Sequence, residues 1–194
     1  MIVRKFKVPF SSEWCIVDNE ISNDITNPIK GADWFYDKAD LICCGILDKD
    51  EILIFFREKE DDLEHYKNSL RNILDSKGKL YAFNFNMEKG NFKGFLNKSY
   101  DVLEIKPFKG KGWSKQKFFE ELLNDKKVLE KDCPKDPIED DSGKCLELYA
   151  KGDYETIINH NISDLVKQYA ILKHKKYIYS KYASKISSQG FYSG

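Results

Sequence analysis

Ala39-Asp40-Leu41-Ile42-Cys43-Cys44-Gly45-Ile46-Leu47-Asp48-Lys49-Asp50-Glu51-Ile52-Leu53-Ile54-Phe55-Phe56-Arg57 holds two apolar runs, ADLICCGIL and EILIFFR, divided by a polar triplet. Short runs rich in β-branched and aromatic residues suit buried strands. Asp48, Lys49 and Asp50 between them predict a tight turn, hence a hairpin. Upstream, Trp14 to Val17 is a further strand-length run that ends at Asp18-Asn19-Glu20. The chain is therefore expected to open with three consecutive antiparallel strands.

Downstream the periodicity changes. Between Lys59 and Asp75, Leu63, Tyr66, Leu70, Ile73 and Leu74 recur at helical spacing, and Gly78 stands where such a helix would end, which predicts a crossover helix. Lys79 to Phe85 (KLYAFNF) predicts the next buried strand, Met87 to Leu96 a helix, Tyr100 to Lys106 a short strand, and Lys115 to Leu123 a helix with Phe118, Phe119, Leu122 and Leu123 on one side. The mostly polar segment from Asn124 to Gly143, with Pro134 and Pro137 inside it, predicts an exposed loop. Two helices are expected to close the domain, Lys144 to Lys151 and then Asp153 to Tyr179, the second breaking near Asn161. The order of elements is an α/β pattern with an antiparallel start, suited to a mixed sheet flanked by helices.

A chain of 194 residues suits one domain, read as residues 1–186 with 187–194 as a flexible tail. Apolar residues are 41% and charged residues 33%, with 32 basic and 32 acidic side chains. The surface is densely charged but balanced, which counts mildly against life as an electrostatic DNA binder and leaves room for local basic patches. Cys15, Cys43, Cys44, Cys133 and Cys145 are odd in number and lack a CxxC pair, so they are read as reduced, mostly buried thiols. The amino-terminal MIVRKFKVPF is basic without a long apolar run, and no eighteen apolar residues follow one another. A cytoplasmic protein with no membrane partner is the expectation.

Three constellations carry chemistry. Asp18 and Glu20 form a D-x-E pair at the end of a buried strand, where period two lets both face one side; the alternative is a solvated turn. Phe83-Asn84-Phe85-Asn86-Met87-Glu88 follows another buried strand and could aim Asn84 and Glu88 at the same cleft, or could be an Asn turn with Glu88 as a helix-dipole partner. In Gly152-Asp153-Tyr154-Glu155-Thr156-Ile157-Ile158-Asn159-His160-Asn161-Ile162-Ser163-Asp164, His160 and Asp164 stand four apart, on one face of a continuous helix. Converging carboxylates suit hard cations such as Mg²⁺, which prefer oxygen ligands. A histidine near neutral pKa suits activation of water. P-loop, dinucleotide-turn and nucleophile-elbow motifs are absent from the sequence, as is histidine-rich zinc chemistry.

These three pieces, in this order, resemble the DEDD superfamily of 3′-to-5′ exonucleases, particularly the proofreading domain of family B DNA polymerases and the ribonuclease H-like exonucleases. The first motif is matched by Asp18 and Glu20, the second by Asn84 and Glu88, and the third by Gly152, Asp153, Ile157, His160 and Asp164, so the resemblance spans about residues 12 to 175. It implies a ribonuclease H-like fold, with three antiparallel strands followed by parallel ones. It also implies two Mg²⁺ or Mn²⁺ ions on Asp18, Glu20, Glu88 and Asp164, His160 as the residue that orients or deprotonates water, and Asn84 as a substrate contact. Two departures stand out: Glu88 is one methylene longer than the usual Asp, and His160 occupies a place where the spacing expects Tyr.

Lys109, Lys111 and Trp113 lie in a loop that interleaves cations with aromatics, as a single strand of DNA or RNA would want, although Trp113 could equally be tucked into the core. The run Lys173-His174-Lys175-Lys176 reads as a basic helix end. The expected activity is hydrolysis of single-stranded DNA or RNA, with replication or repair proteins as further candidate partners. The alternatives are a catalytically weakened nucleic-acid-binding or accessory domain, and an unrelated α/β domain.

Overall fold

Side chains alternate from the amino terminus onward. Ile2, Phe6, Val8 and Phe10 are half-buried while Val3, Lys5, Lys7 and Pro9 are exposed, which is the period of a strand with one covered face. A computed structural model describes residues 1–22, 39–108, 113–128, 133–139 and 141–188. In it β1 runs over Ile2–Ile21 and β2 over Leu41–Phe56. The run Trp14 to Val17 is thus the middle of a strand of 20 residues.

β1 and β2 pair antiparallel from Ile2↔Phe56 to Ile21↔Leu41. This corrects the expected hairpin at Asp48, Lys49 and Asp50. Those residues belong to β2, and the polar triplet marks a distortion rather than a turn. Lys49 takes a positive φ of 56°, and the register shifts between Lys7 and Ser12 and again between Ser12 and Ile16. Extra residues in β1 bulge out there, which bends and twists the pair, and Pro9, lacking an N–H, falls in the interrupted stretch. Polar side chains are tolerated because this part of β2 faces solvent and meets lysines: Lys7 Nζ lies 2.8 Å from Asp50 and 3.1 Å from Glu51. What reads as three antiparallel strands is one antiparallel pair.

β3 (Leu80–Ala82) and β4 (Val102–Glu104) complete a four-stranded mixed sheet of order β2-β1-β3-β4. β3 runs parallel to β1 at Cys15↔Leu80 and Ile16↔Tyr81, and β4 runs parallel to β3. The crossovers are α1 (Leu63–Asp75) and α2 (Phe85–Leu96). Asp62 caps α1, its side chain accepting from the N–H groups of Glu64 and His65, and Ser76, not Gly78, ends the helix. α3 (Lys115–Asn124) starts at Ser114, whose hydroxyl accepts from the Lys117 N–H. α4 (Lys144–Lys151) ends at Gly152, which adopts a φ of 78°.

α5 (Tyr154–Lys173) is capped by Asp153 and passes unbroken through Asn161. The expected break falls instead at His174, after which α6 runs over Lys175–Ser188. Residues 187 and 188 of the expected tail are therefore helical, and the rest of it lies outside the described residues.

The two faces of the sheet divide the core into two layers. Ile16, Ile42, Ile52 and Ile54 face one layer with Phe118, Leu122, Ile157 and Leu165 of α3 and α5. Val17, Cys44, Ile46 and Phe55 face the other, with Tyr66, Leu70, Phe92 and Phe95 of α1 and α2. Truncating a leucine in either layer is expected to cost about 2–5 kcal/mol.

The polar segment 124–143 is not simply an exposed loop. Ile138 is buried in the α5 layer, Asp136 bonds to His160 and Lys167, and the Pro134 carbonyl accepts from Ser163 Oγ at 3.0 Å. Charged residues go inside when paired, and these partners draw the segment onto α5. Among the described residues, no helix is long and apolar enough to cross a membrane.

Candidate metal centre

Asp18, Asn19 and Glu20 lie just beyond the residues of β1 that pair with β3, at the carboxyl end of a strand, where open α/β sheets commonly bind ligands. Period two sends Asp18 and Glu20 toward α5 and Asn19 toward α2. All three are buried.

α5 answers with two adjoining stripes of polar residues, each at helical spacing. In the first, Asn161 Nδ2 donates to the main-chain oxygen of Asp18 at 3.0 Å, to its Oδ2 at 3.1 Å and to Glu20 Oε1 at 3.3 Å. Gln168 Nε2 donates to Asp18 Oδ1, and its Oε1 accepts from the Phe83 N–H at 3.0 Å. In the second stripe are His160, Asp164 and Lys167. Asp18, Glu20 and Asp164 thereby offer ligand oxygens that all lie within 4.8 Å of one another.

That closeness depends on Gly45, the β2 residue opposite Asp18 in the ladder. A Cβ there would stand 1.9 Å from Asn161 Oδ1 and 2.7 Å from Leu165 Cδ1. Only glycine lets the helix approach the sheet this closely.

Burial dominates the electrostatics. It pushes the Asp18 carboxyl well above its ordinary range; Lys115 opposes this, while Asp164 and Glu20 add to it. Glu20 is raised by burial, with His160 opposing. His160 is pushed up to about 9: burial lowers it, but its bond to Asp136 and the charges of Glu20 and Asp164 outweigh that. Its Nδ1 lies 2.9 Å from Asp136 Oδ1. Burial also opposes ionisation of Asp136, yet the bonds to His160 and Lys167 hold it well below the carboxylate range. Lys115 pairs with Asp164 and lies 3.9 Å from Asp18 Oδ1. Lys167 Nζ lies 2.8 Å from Asp136 Oδ2 and 3.5 Å from Asp164 Oδ1.

The other candidate residues are placed differently. Glu88, in the first turn of α2, is buried and accepts from Asn19 Nδ2. It is not among the groups that meet within 4.8 Å, although burial and the charges of Asp18 and Glu20 raise its pKa well above the ordinary value. Asn84 is exposed at the start of α2, with no side-chain cap bond, and its carbonyl accepts from the Glu88 N–H at 3.2 Å. Trp113 is half-buried among aromatic rings, 4.8 Å from Phe118 and 4.7 Å from Tyr182 between centroids. Lys109 and Lys111 lie outside the described residues. In the basic run, Lys175 Nζ donates to the Glu104 carbonyl at 2.9 Å and so ties α6 to β4.

Asn161, Gln168, Lys115, Asp136 and Gly45 are the participants that motif spacing does not single out. Their donor set tests what the centre can hold. Three buried carboxylates converge, and an oxygen-rich anionic cluster of this kind suits a hard divalent cation such as Mg²⁺ or Mn²⁺. No protein-family description matches the chain, and no curated protein or solved structure does either.

Proposed function

We propose that the chain is a metal-dependent nuclease that shortens single-stranded DNA or RNA from the 3′ end, serving repair or processing in the cytoplasm. One observation carries this reading: Asp18, Glu20 and Asp164, from two elements far apart in sequence, converge on one point as buried carboxylates. The 3′-to-5′ polarity and the ribonuclease H-like assignment rest on the motif resemblance.

In this reading Asp18, Glu20 and Asp164 hold the ions, with Glu88 the fourth acid of the set. Mg²⁺ or Mn²⁺ held by these acids would supply an activated water and charge stabilisation for the leaving 3′ oxygen. Asn161 and Gln168 fix the rotamers of the strand acids. His160, held as an imidazolium by its acidic neighbours, orients groups in the cleft as a hydrogen-bond donor.

The test is a 5′-labelled single-stranded oligonucleotide incubated with the purified protein and Mn²⁺. Progressive shortening is expected, and Asp18→Ala combined with Glu20→Ala should abolish it. Unchanged cleavage by that double variant would sink the assigned site.

A second reading, a binding or accessory domain without cleavage, is favoured by the bond of Glu88 to Asn19 and by the pairing of Lys115 with Asp164. Calorimetry separates the two, since a Mn²⁺ titration without heat favours the second.

A further inference from the structure

His160 faces a second group of ligand atoms besides the carboxylate cluster. Cys145, in the first turn of α4, is buried, and its thiol donates to Glu20 Oε2 at 3.5 Å. His160 Nε2 lies 3.7 Å from Glu20 Oε1. Ligand atoms of Glu20, Cys145 and His160 all fall within 4.8 Å of one another. We propose that these three side chains form a second metal site, selective for a thiophilic cation of the Zn²⁺ class.

The distances favour tetrahedral coordination. With Zn–S near 2.3 Å and Zn–N and Zn–O near 2.1 Å, the edges of the tetrahedron are about 3.6 Å from sulfur to oxygen and about 3.4 Å from nitrogen to oxygen. Glu20 Oε2 stands 3.5 Å from the Cys145 sulfur and its Oε1 stands 3.7 Å from His160 Nε2, so each softer ligand faces one oxygen of the carboxylate at close to such a length, and a turn of the carboxylate presents one oxygen to both. The remaining pair, Cys145 and His160, lies within 4.8 Å as well.

The histidine provides an independent observation. Its Nδ1 is engaged by Asp136 at 2.9 Å, the carboxylate–histidine arrangement that orients zinc-binding imidazoles. Among the described residues, the contacts of its fully buried Nε2 are long, 3.5 Å to Ser142 Oγ, 3.5 Å to Asp164 Oδ2 and 3.7 Å to Glu20 Oε1. The three ligands come from β1, α4 and α5, so separate packed elements hold them in place. As the metal binds, the thiol proton and the Nε2 proton leave to solvent, and water or Asp164 Oδ2 takes the fourth position. An all-oxygen set discriminates poorly against Mg²⁺, whereas a thiolate and an imidazole select softer ions.

Glu20 belongs to both groups, so zinc here withdraws a ligand from the carboxylate cluster. Zinc is then an inhibitor of the proposed nuclease; this consequence rests on that reading, while the zinc site does not.

Cobalt reports the site without any activity measurement. The full chain, freed of metal by chelator and titrated with Co²⁺, should show tetrahedral bands in the visible and thiolate-to-cobalt charge transfer in the near ultraviolet, both bleached by Zn²⁺. Cys145→Ser should abolish the charge transfer, Asp136→Asn should weaken Zn²⁺ binding by about 10–100-fold, and Cys133→Ser should leave the spectrum unchanged. A folded wild-type protein without the charge-transfer band overturns the proposal, as does a band that survives in Cys145→Ser. If the bands appear as expected while no oligonucleotide is cut with Mn²⁺, the zinc site stands and the nuclease reading falls.

Discussion

Lys115 is the side chain whose removal bears most directly on the carboxylate cluster. Its ammonium pairs with Asp164 and approaches Asp18, so any divalent cation that binds there competes with it. Lys115→Met should therefore bind Mn²⁺ more tightly, by about tenfold, the equivalent of ~1.4 kcal/mol; calorimetric titration checks this, and equal affinity would remove the lysine from the centre. Single residues also show how much the sequence reveals. Asp18, Glu20, His160 and Asp164 are legible because each pair is local, at strand or helix spacing. Asn161 is not, because the meaning of its amide depends on acceptors 143 residues away. Asp136 hides in a stretch whose polar composition reads as solvent-exposed, and only its pairing with His160 and Lys167 explains its position.

Helix α5 and the antiparallel pair β1–β2 that it covers are where the centre is built. Gly45→Ala places a methyl 1.9 Å from Asn161 Oδ1, and either the amide leaves Asp18 or the helix moves outward. Overpacking of this kind costs about 1–3 kcal/mol. Thermal unfolding should register it as a Tm lower by roughly 2–4 °C for each kcal/mol, with Mn²⁺ affinity falling in parallel; a variant with wild-type Tm and metal binding would show that the close approach is unimportant. The helices were largely legible, since α1, α3 and α4 follow apolar periodicity and caps within a few residues. The strands were less so. A polar triplet in the middle of β2 imitates a turn, and its actual place, opposite the bulged stretch of β1 that holds Pro9, depends on pairing with a partner strand far away in sequence. Ile2, Phe6, Val8 and Phe10 alternate at the amino terminus, but the interleaved basic residues make the stretch read as basic and without an apolar run, and so not as a strand.

Across the whole molecule, α6 is fastened to α3 by charge. Lys181 Nζ lies 2.9 Å from Glu121 and also pairs with Asp125, while Tyr182 donates to Glu121 and Tyr177 donates to Asp125. Bonds from Tyr182 and Lys181 lower Glu121, and bonds from Lys181 and Tyr177 lower Asp125, with burial opposing in both. Folded-state values below the unfolded ones mean that this stabilisation is complete above the ordinary carboxylate range, about pH 4, and is lost as pH falls through the lowered values. Circular dichroism of α6 docking should weaken below about pH 4 in the native chain, and Lys181→Met should flatten that acid limb. An acid limb of unchanged steepness in the variant would place the dependence elsewhere.

The joining of β1 to α5 also bears on how the protein is made. Asp18 and Glu20 leave the ribosome before Asn161 and Asp164, which gather and complete their cluster and emerge only with α5. A nascent chain therefore carries the strand acids through the 143 residues that separate Asp18 from Asn161 without an assembled carboxylate cluster, and a message truncated before α5 would yield a product whose cation site is never completed.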